Sequence, residues 1–245
     1  MLSYFIYNGK SSKDFGIIIE DYPNWPKPAK KINKITIPGR NGDLLIHDGS
    51  YKNVILEYKI AFHGGPQKAS EIADWLPGAD GYQRLEDTYH PGKFRLAAFE
   101  GPMGIVSYNN EFGKVTLKFN CRPETFLEAG TNPIRLDCSA GRVETTLNNP
   151  GMTALPKISL RCSGPVGVGI GPYELDIWLE SGALTDVFID CQSQAVSGST
   201  GSLNSVSELK TEFPRLDPGA STVIITPFGT SSVESCEIIP GWWSL

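Results

Sequence analysis

The stretch Ile32 to Phe62, INKITIPGRNGDLLIHDGSYKNVILEYKIAF, restricts the fold of this chain more than any other segment. In its second half Val54, Leu56, Tyr58, Ile60 and Phe62 fall on one face, with Glu57, Lys59 and Ala61 opposite. That period of two is the pattern of a strand with one buried and one wet side. A helix would scatter the same residues around its circumference.

Two turn signals precede the strand. At Pro38-Gly39-Arg40-Asn41-Gly42 proline presets a negative φ, and glycine and asparagine tolerate the positive φ of a tight reversal. Asp48-Gly49-Ser50 repeats the signal, so Leu44 to His47 is expected to be a short strand between two reversals. The block as a whole predicts a β-meander.

With 245 residues the chain can bury a large core, as one large domain or two smaller ones. Charge separates the halves: residues 1–125 hold 16 Lys/Arg and 14 Asp/Glu, whereas the remainder holds 6 and 13. The strand pattern breaks around Arg122-Pro123, and Phe126 to Pro133 reads as a connector. Two domains are therefore expected, 1–130 and 131–245.

The net charge of −5 and the lack of a basic stripe argue against nucleic-acid binding. Lys27, Lys30, Lys31 and Lys34 cluster in a Pro-rich stretch that reads as a solvated loop leading into a strand. The N-terminal residues lack the charged and apolar regions of a secretory signal, and no apolar run is long enough to span a bilayer. A soluble protein is expected, with no membrane partner.

Cys121, Cys138, Cys162, Cys191 and Cys236 are odd in number, widely spaced and without a CxxC pair, which fits reduced thiols. Cys162 and Cys191 continue the alternations begun by Ile158 and Val187 and are expected to point inward. With only His47, His63 and His90 available, no metal site and no cofactor site is expected.

Pro66 to Trp75 is the one helical segment: Ala69, Ile72, Ala73 and Leu76 share a face, proline sits near the start, and Pro77-Gly78 stops it. Arg84 to Glu86, Phe94 to Phe99, Ile105 to Tyr108 and Val115 to Cys121 read as strands. Beyond residue 130, strands are expected at Val143 to Leu147, Lys157 to Cys162, Tyr173 to Leu179, Val187 to Cys191 and Thr222 to Thr226. Their apolar faces suit a two-sheet sandwich or jelly roll. Ser193 to Ser207 reads as a mobile surface loop.

Catalytic motifs fail on inspection. Gly9-Lys10-Ser11 lacks the upstream glycine of a phosphate loop, since residue 4 is tyrosine, and Gly167-Val168-Gly169 reads as a turn because residue 172 is proline. His63-Gly64-Gly65 has no nucleophile elbow to serve. Asp74, Asp80, Glu86 and Asp87 could supply paired carboxylates, but nearness in sequence does not place them across a cleft. No catalytic residue is assigned. Trp242-Trp243 with Phe228 could stack on a sugar, although docking of a terminal strand explains them better. Trp25, set among Pro23, Pro26 and Pro28, is a candidate anchor for a neighbouring subunit, with packing inside the chain as the alternative.

In order and spacing the chain resembles the distal tail proteins of long-tailed bacteriophages and of prophages in Gram-positive bacteria. The resemblance runs through Phe5-Ile6-Tyr7-Asn8-Gly9, Lys13-Asp14-Phe15-Gly16-Ile17, Ile37 to Gly42, Gly49 to Asn53 and Ile72-Ala73-Asp74-Trp75-Leu76. It continues through Phe94-Arg95-Leu96-Ala97, Phe119 to Pro123, Asn148 to Gly151, Pro156-Lys157-Ile158, Phe188 to Cys191 and Phe213 to Gly219.

The resemblance implies a mainly β chain: an N-terminal tail-tube-like β-sandwich or barrel with one short helix, then a C-terminal galectin-like β-sandwich. It further implies a structural hub rather than an enzyme, with six copies closing a ring in the virion tail tip after assembly in the bacterial cytoplasm. Its partners would be the tail tube protein, the tape-measure end, the tail-associated fibre or lysin protein, and receptor-binding components. The rigid, exposed residues Trp25, Pro38, Gly39, Arg40, Asn41 and Gly42 are the candidate interface. The competing reading is a carbohydrate-binding module or adhesin of β-sandwich fold.

Overall fold

The computed structural model describes residues 3–108, 111–180 and 182–245. The chain is mainly β and packs as two compact units, 1–125 with Leu245, and 126–244.

The first unit opens with β1 (Phe5–Tyr7), β2 (Lys10–Ser11) and β3 (Ile17–Ile19). Then come β4 (Lys30–Ile35), β5 (Leu44–Tyr51), β6 (Val54–His63) and helix α1 (Gly65–Trp75). It closes with β7 (Gln83–Asp87), β8 (Lys93–Phe99), β9 (Val106–Tyr108) and β10 (Phe112–Leu127), whose last residues enter the second unit. The main sheet runs β2-β1-β7-β8-β10-β6-β3, with β9 also pairing β10.

The expected alternation is present in β6: Val54, Leu56, Tyr58, Ile60 and Phe62 are buried, while Glu57 and Lys59 are exposed. Across the ladder β10 contributes Val115, Leu117, Phe119 and Cys121 to the same core. Helix α1 adds Ile72 and Trp75, and Phe5 stacks on both Tyr58 and Trp75. Burying each such side chain contributes about 1.5–3 kcal/mol.

Two expectations for this unit are corrected. The opening block is not a meander, because β5 does not pair with β6. Strands β4 and β5 form their own two-stranded sheet, while β6 lies between β10 and β3. Nor does the chain reverse at Asp48-Gly49-Ser50. Lys30 pairs with Tyr51 and Ile32 with His47, so residues 48–50 bulge opposite Lys31 alone. The Asp48 carboxylate accepts from the Ser50 N–H and hydroxyl, and Gly49 takes φ +86°. This is turn chemistry absorbed as a bulge within a strand. Lys30, Lys31 and Lys34 accordingly lie on an exposed strand rather than in a loop.

The expected break at Arg122-Pro123 is also absent, since β10 continues to Leu127. The ladder with β6 ends at the Cys121–Val54 pair, so the missing N–H of Pro123 costs no hydrogen bond to β6.

The second unit begins with β11 (Ile134–Leu136), β12 (Val143–Asn149), β13 (Lys157–Ser163) and β14 (Val166–Ile170). It continues with β15 (Tyr173–Ile177), β16 (Thr185–Asp190), β17 (Ala195–Gly198) and β18 (Gly201–Ser202). The last strands are β19 (Ser207–Leu209), β20 (Gly219–Pro227), β21 (Ser232–Ile239) and β22 (Trp243–Ser244). Two antiparallel sheets, β11-β21-β13-β16-β17-β18 and β12-β20-β14-β15-β19, enclose one core built from Ile158, Leu160, Leu175, Ile177, Val187 and Ile189 among others. This is the expected sandwich.

The serine-rich segment is structured rather than loose: Val196 is buried, its N–H donates to Asn204 Oδ1 at 2.7 Å, and its carbonyl accepts from Leu203 N at 2.8 Å. Gly167-Val168-Gly169 is strand, with the turn displaced to Gly171.

All five cysteines are free and buried. Burial pushes the thiols of Cys121, Cys191 and Cys236 up to about 12 and that of Cys162 to about 11. At pH 8 they stay neutral and unreactive. Iodoacetamide at pH 8 is therefore expected to leave the native protein unmodified and to label five sites in urea. Because the folded values are raised, the thiols' stabilising contribution is full below their ordinary range near 9 and declines as pH rises toward 12. A urea midpoint that stays constant through that window would contradict this.

Candidate subunit interface

The interface residues expected from sequence sit on or beside the β4–β5 arm. At its tip Arg40 N donates to Ile37 O at 3.1 Å, closing a turn with Pro38 and Gly39 at the central positions. Gly39 has φ +77°, which with a preceding proline is the signature of a type II turn. Thr36 Oγ1 donates to Asp43 Oδ1 at 2.9 Å just below. Pro38, Gly39, Arg40, Asn41 and Gly42 are all exposed.

Trp25 is elsewhere, in the strand-free segment that leads into β4. It is half-buried, with its ring stacked on His90 at 3.5 Å between centroids and the Arg95 guanidinium 4.5 Å from its ring centre. The structure thus gives Trp25 an intrachain role at the base of the arm and leaves the five tip residues at the other end.

Arg95 organises that base. It occupies an inward position of β8, in phase with Ala97 and Phe99, and is only 1% exposed. Its Nη1 donates to the carbonyls of Arg122 (3.3 Å) and Pro123 (3.4 Å), and Nη2 to that of Pro26 (3.3 Å). Burial lowers its pKa, yet a guanidinium stays protonated in proteins. The cation therefore ties the segment before the arm to the far end of β10.

A second polar group meets Trp25 through His90. Asp87 Oδ1 accepts from His90 Nδ1 at 2.9 Å and from the backbone N–H of Tyr89 and His90, while Oδ2 accepts from the Tyr58 hydroxyl at 2.7 Å. Burial first, and the Asp87 charge second, hold the Tyr58 phenol well above its usual range. Asp87 is thus fully engaged in positioning. Of the other carboxylates considered for catalysis, Glu86 pairs with Arg84 and Asp74 and Asp80 are exposed. Among the described residues no group of three His, Cys, Asp or Glu could hold a metal, and no helix is long and apolar enough to cross a membrane.

What sequence reading missed is the apolar character of the arm. Ile35, Leu44 and Ile46 share one face through the register, and Ile32 and Leu45 share the other. All five are 38–59% exposed. The signal lay in the unalternating run Leu44-Leu45-Ile46, which leaves neither face of the strand polar. Arg95 was legible too, as a charged residue in phase with buried neighbours.

No protein-family model and no curated protein matches this sequence. Among solved structures, it is similar to the Dit (gp 19.1) protein of phage SPP1, described as a paradigm of hub adsorption apparatus in phages infecting Gram-positive bacteria. The two are 15% identical, with a TM-score of 0.72 over 97% of this chain and 99% of that one. The chain has the distal-tail fold.

Within this fold the Arg95 clamp is expected to be structural. Arg95→Met removes the donors to three carbonyls and should cost about 2–4 kcal/mol. Arg95→Lys should recover only part of this, since an ammonium cannot fork between carbonyls and stack on indole together. Urea unfolding of both variants measures it; a loss under about 0.5 kcal/mol, the range of an inconsequential surface change, would show the clamp to be dispensable.

Proposed function

We propose that the protein is the structural hub of a phage tail tip. Six copies would close a ring joining the tail tube and tape-measure end to the fibre or lysin protein and receptor-binding components. It would act in the virion after assembly in the host cytoplasm, without catalysing a reaction. The observation that carries this reading is the likeness to the SPP1 hub protein across 97% of the chain, which takes in both units.

The arm supports it on physical grounds. An isolated two-stranded ribbon is marginal in water, and this one exposes apolar side chains on both faces and unpaired backbone groups along its edges. Seating it on the next copy would bury both, and a head-to-tail contact of that kind generates a ring when its rotation closes.

Light scattering and negative-stain microscopy of the purified protein, alone and with the tail tube protein, should show particles of six chains. Leu45→Glu with Ile46→Lys should yield folded monomers, because both side chains are exposed in the single chain. Arg40→Glu should weaken the ring at the tip; rings that persist at full strength would remove Arg40 from the interface. Monomers of the parent under both conditions would sink the hub reading itself.

A further inference from the structure

The second unit carries a groove of its own. It lies on the outer face of the β12-β20-β14-β15-β19 sheet and encloses about 300 Å³, the small end of the range for ligand pockets. Its floor exists because β14 presents Val166, Val168 and Ile170 to the core and only Gly167 and Gly169 to the outside.

The two sides differ chemically. On one, Glu174 stands beside Gly169 and Asp176 beside Gly167 through the β14–β15 register. On the other, Ile224 and Thr226 of β20 flank the same glycines. One end is closed by Phe228, whose ring lies over Gly167: a Cβ there would meet Phe228 Cζ at 2.8 Å. Trp178, 48% exposed, stacks on Phe228 with centroids 5.6 Å apart, and its Nε1 donates to Glu208 Oε2 at 3.2 Å. The aromatic pair is therefore fixed outside the core, where packing does not require it.

From this juxtaposition of an aromatic face, a side-chain-free floor and a carboxylate wall, we infer that the groove is a binding site for a neutral or amino-bearing saccharide. A sugar ring has an apolar C–H face, which suits Phe228 and Ile224. Its rim of hydroxyl groups donates to carboxylates. The Glu174 carboxylate and Thr226 hydroxyl have no protein partner among the described residues, so both are available to a ligand.

Charge narrows the class further. The nearby cation Lys210 is already paired with Asp176 at 3.4 Å and Glu208 at 2.7 Å, leaving an acidic site that repels phosphate, uronate and nucleic acid. A basic peptide would satisfy the carboxylates too. Extended peptides, however, dock along sheet edges, whereas this groove lies on a sheet face. Of the aromatic residues considered from sequence for sugar stacking, Phe228 lines this groove. Trp242 and Trp243 pack against the core, with Trp243 Nε1 donating to Thr153 O at 2.9 Å.

The test uses the full chain on a glycan array of neutral, amino and acidic saccharides, then calorimetric titration of the best glycan and of pentalysine. A neutral or amino glycan should bind saturably, with millimolar affinity or better. Binding should fall at least tenfold in Gly169→Val and in Phe228→Ala. The valine fits the fold, because a Cβ at Gly169 meets nothing closer than Ile224 at 3.7 Å and β-branched residues suit strands. An unchanged melting temperature would confirm that Gly169→Val blocks the groove alone.

Failure of every neutral and amino glycan, or equal binding by Gly169→Val, overturns the inference. Capture of pentalysine only, lost in Gly169→Val, reassigns the groove to a basic peptide and also overturns it. The inference is independent of the hub reading: Arg40→Glu should leave glycan binding intact, and Gly169→Val should leave the particle mass intact.

Discussion

The first unit depends on one buried cation. Placing a guanidinium out of water costs several kcal/mol unless its donors and its face are occupied. Arg95 meets most of that requirement with three backbone carbonyls and the ring of Trp25, while its Nε is buried without a hydrogen-bond partner among the described residues. The carbonyls come from segments remote in sequence, Pro26 on one side and Arg122-Pro123 on the other. The segment between β3 and β4 belongs to no strand, and its backbone joins its neighbours at Glu20 N to Lys59 O and at Ala29 O to Lys52 N. Between those points its path is set by side chains. The indole of Trp25 lies between Arg95 and His90, and His90 is held in turn by Asp87 and, through it, Tyr58.

This anchoring explains how the arm can leave the core without support from a larger sheet. Two strands with no third neighbour lack the cross-strand burial that stabilises a sheet. Here the base is fixed by the Trp25 cluster and the tip by a proline-glycine turn, so register is defined at both ends. The charges on the ribbon have a role as well. Lys30, Lys31, Lys34 and Arg40 give an otherwise sticky arm the repulsion that discourages indiscriminate edge pairing.

Where one regular face of an element met a core, the sequence announced its structure. The strand at Val54 to Phe62, the helix from Pro66 and the sandwich strands at Lys157 and Val187 follow from periodicity, because burial enforced it. Asp48-Gly49-Ser50 misled because the same aspartate and glycine chemistry serves a bulge when the partner strand continues past it. Pro123 misled because a proline breaks a ladder only where its N–H is needed. The serine-rich stretch hid one buried valine, Val196, whose two backbone hydrogen bonds order the segment around it. Of the candidate interface, the tip turn was readable from Pro38 and Gly39. The packing of Trp25 was not, since its partners Arg95 and His90 are some seventy residues away and no local pattern links them.

The two surfaces argued to carry function share a property that follows from this. Each lies where the alternation rule breaks on the outward side. In the arm the outward residues are apolar where they should be polar, and in β14 they are glycines where β-branched residues would strengthen the strand. Both departures are unfavourable for the isolated chain, one through exposed apolar surface and the other through weakened strand propensity. At Gly167 the close approach of Phe228 accounts for the glycine, whereas Gly169 has room for a Cβ and the apolar arm residues stay exposed. Sequences that fold well tend to satisfy local rules everywhere except where another requirement overrides them. An arm seated on a neighbour and a floor left open for a ligand, as proposed above, would be two such requirements, and each is marked by a break in alternation rather than by a residue motif.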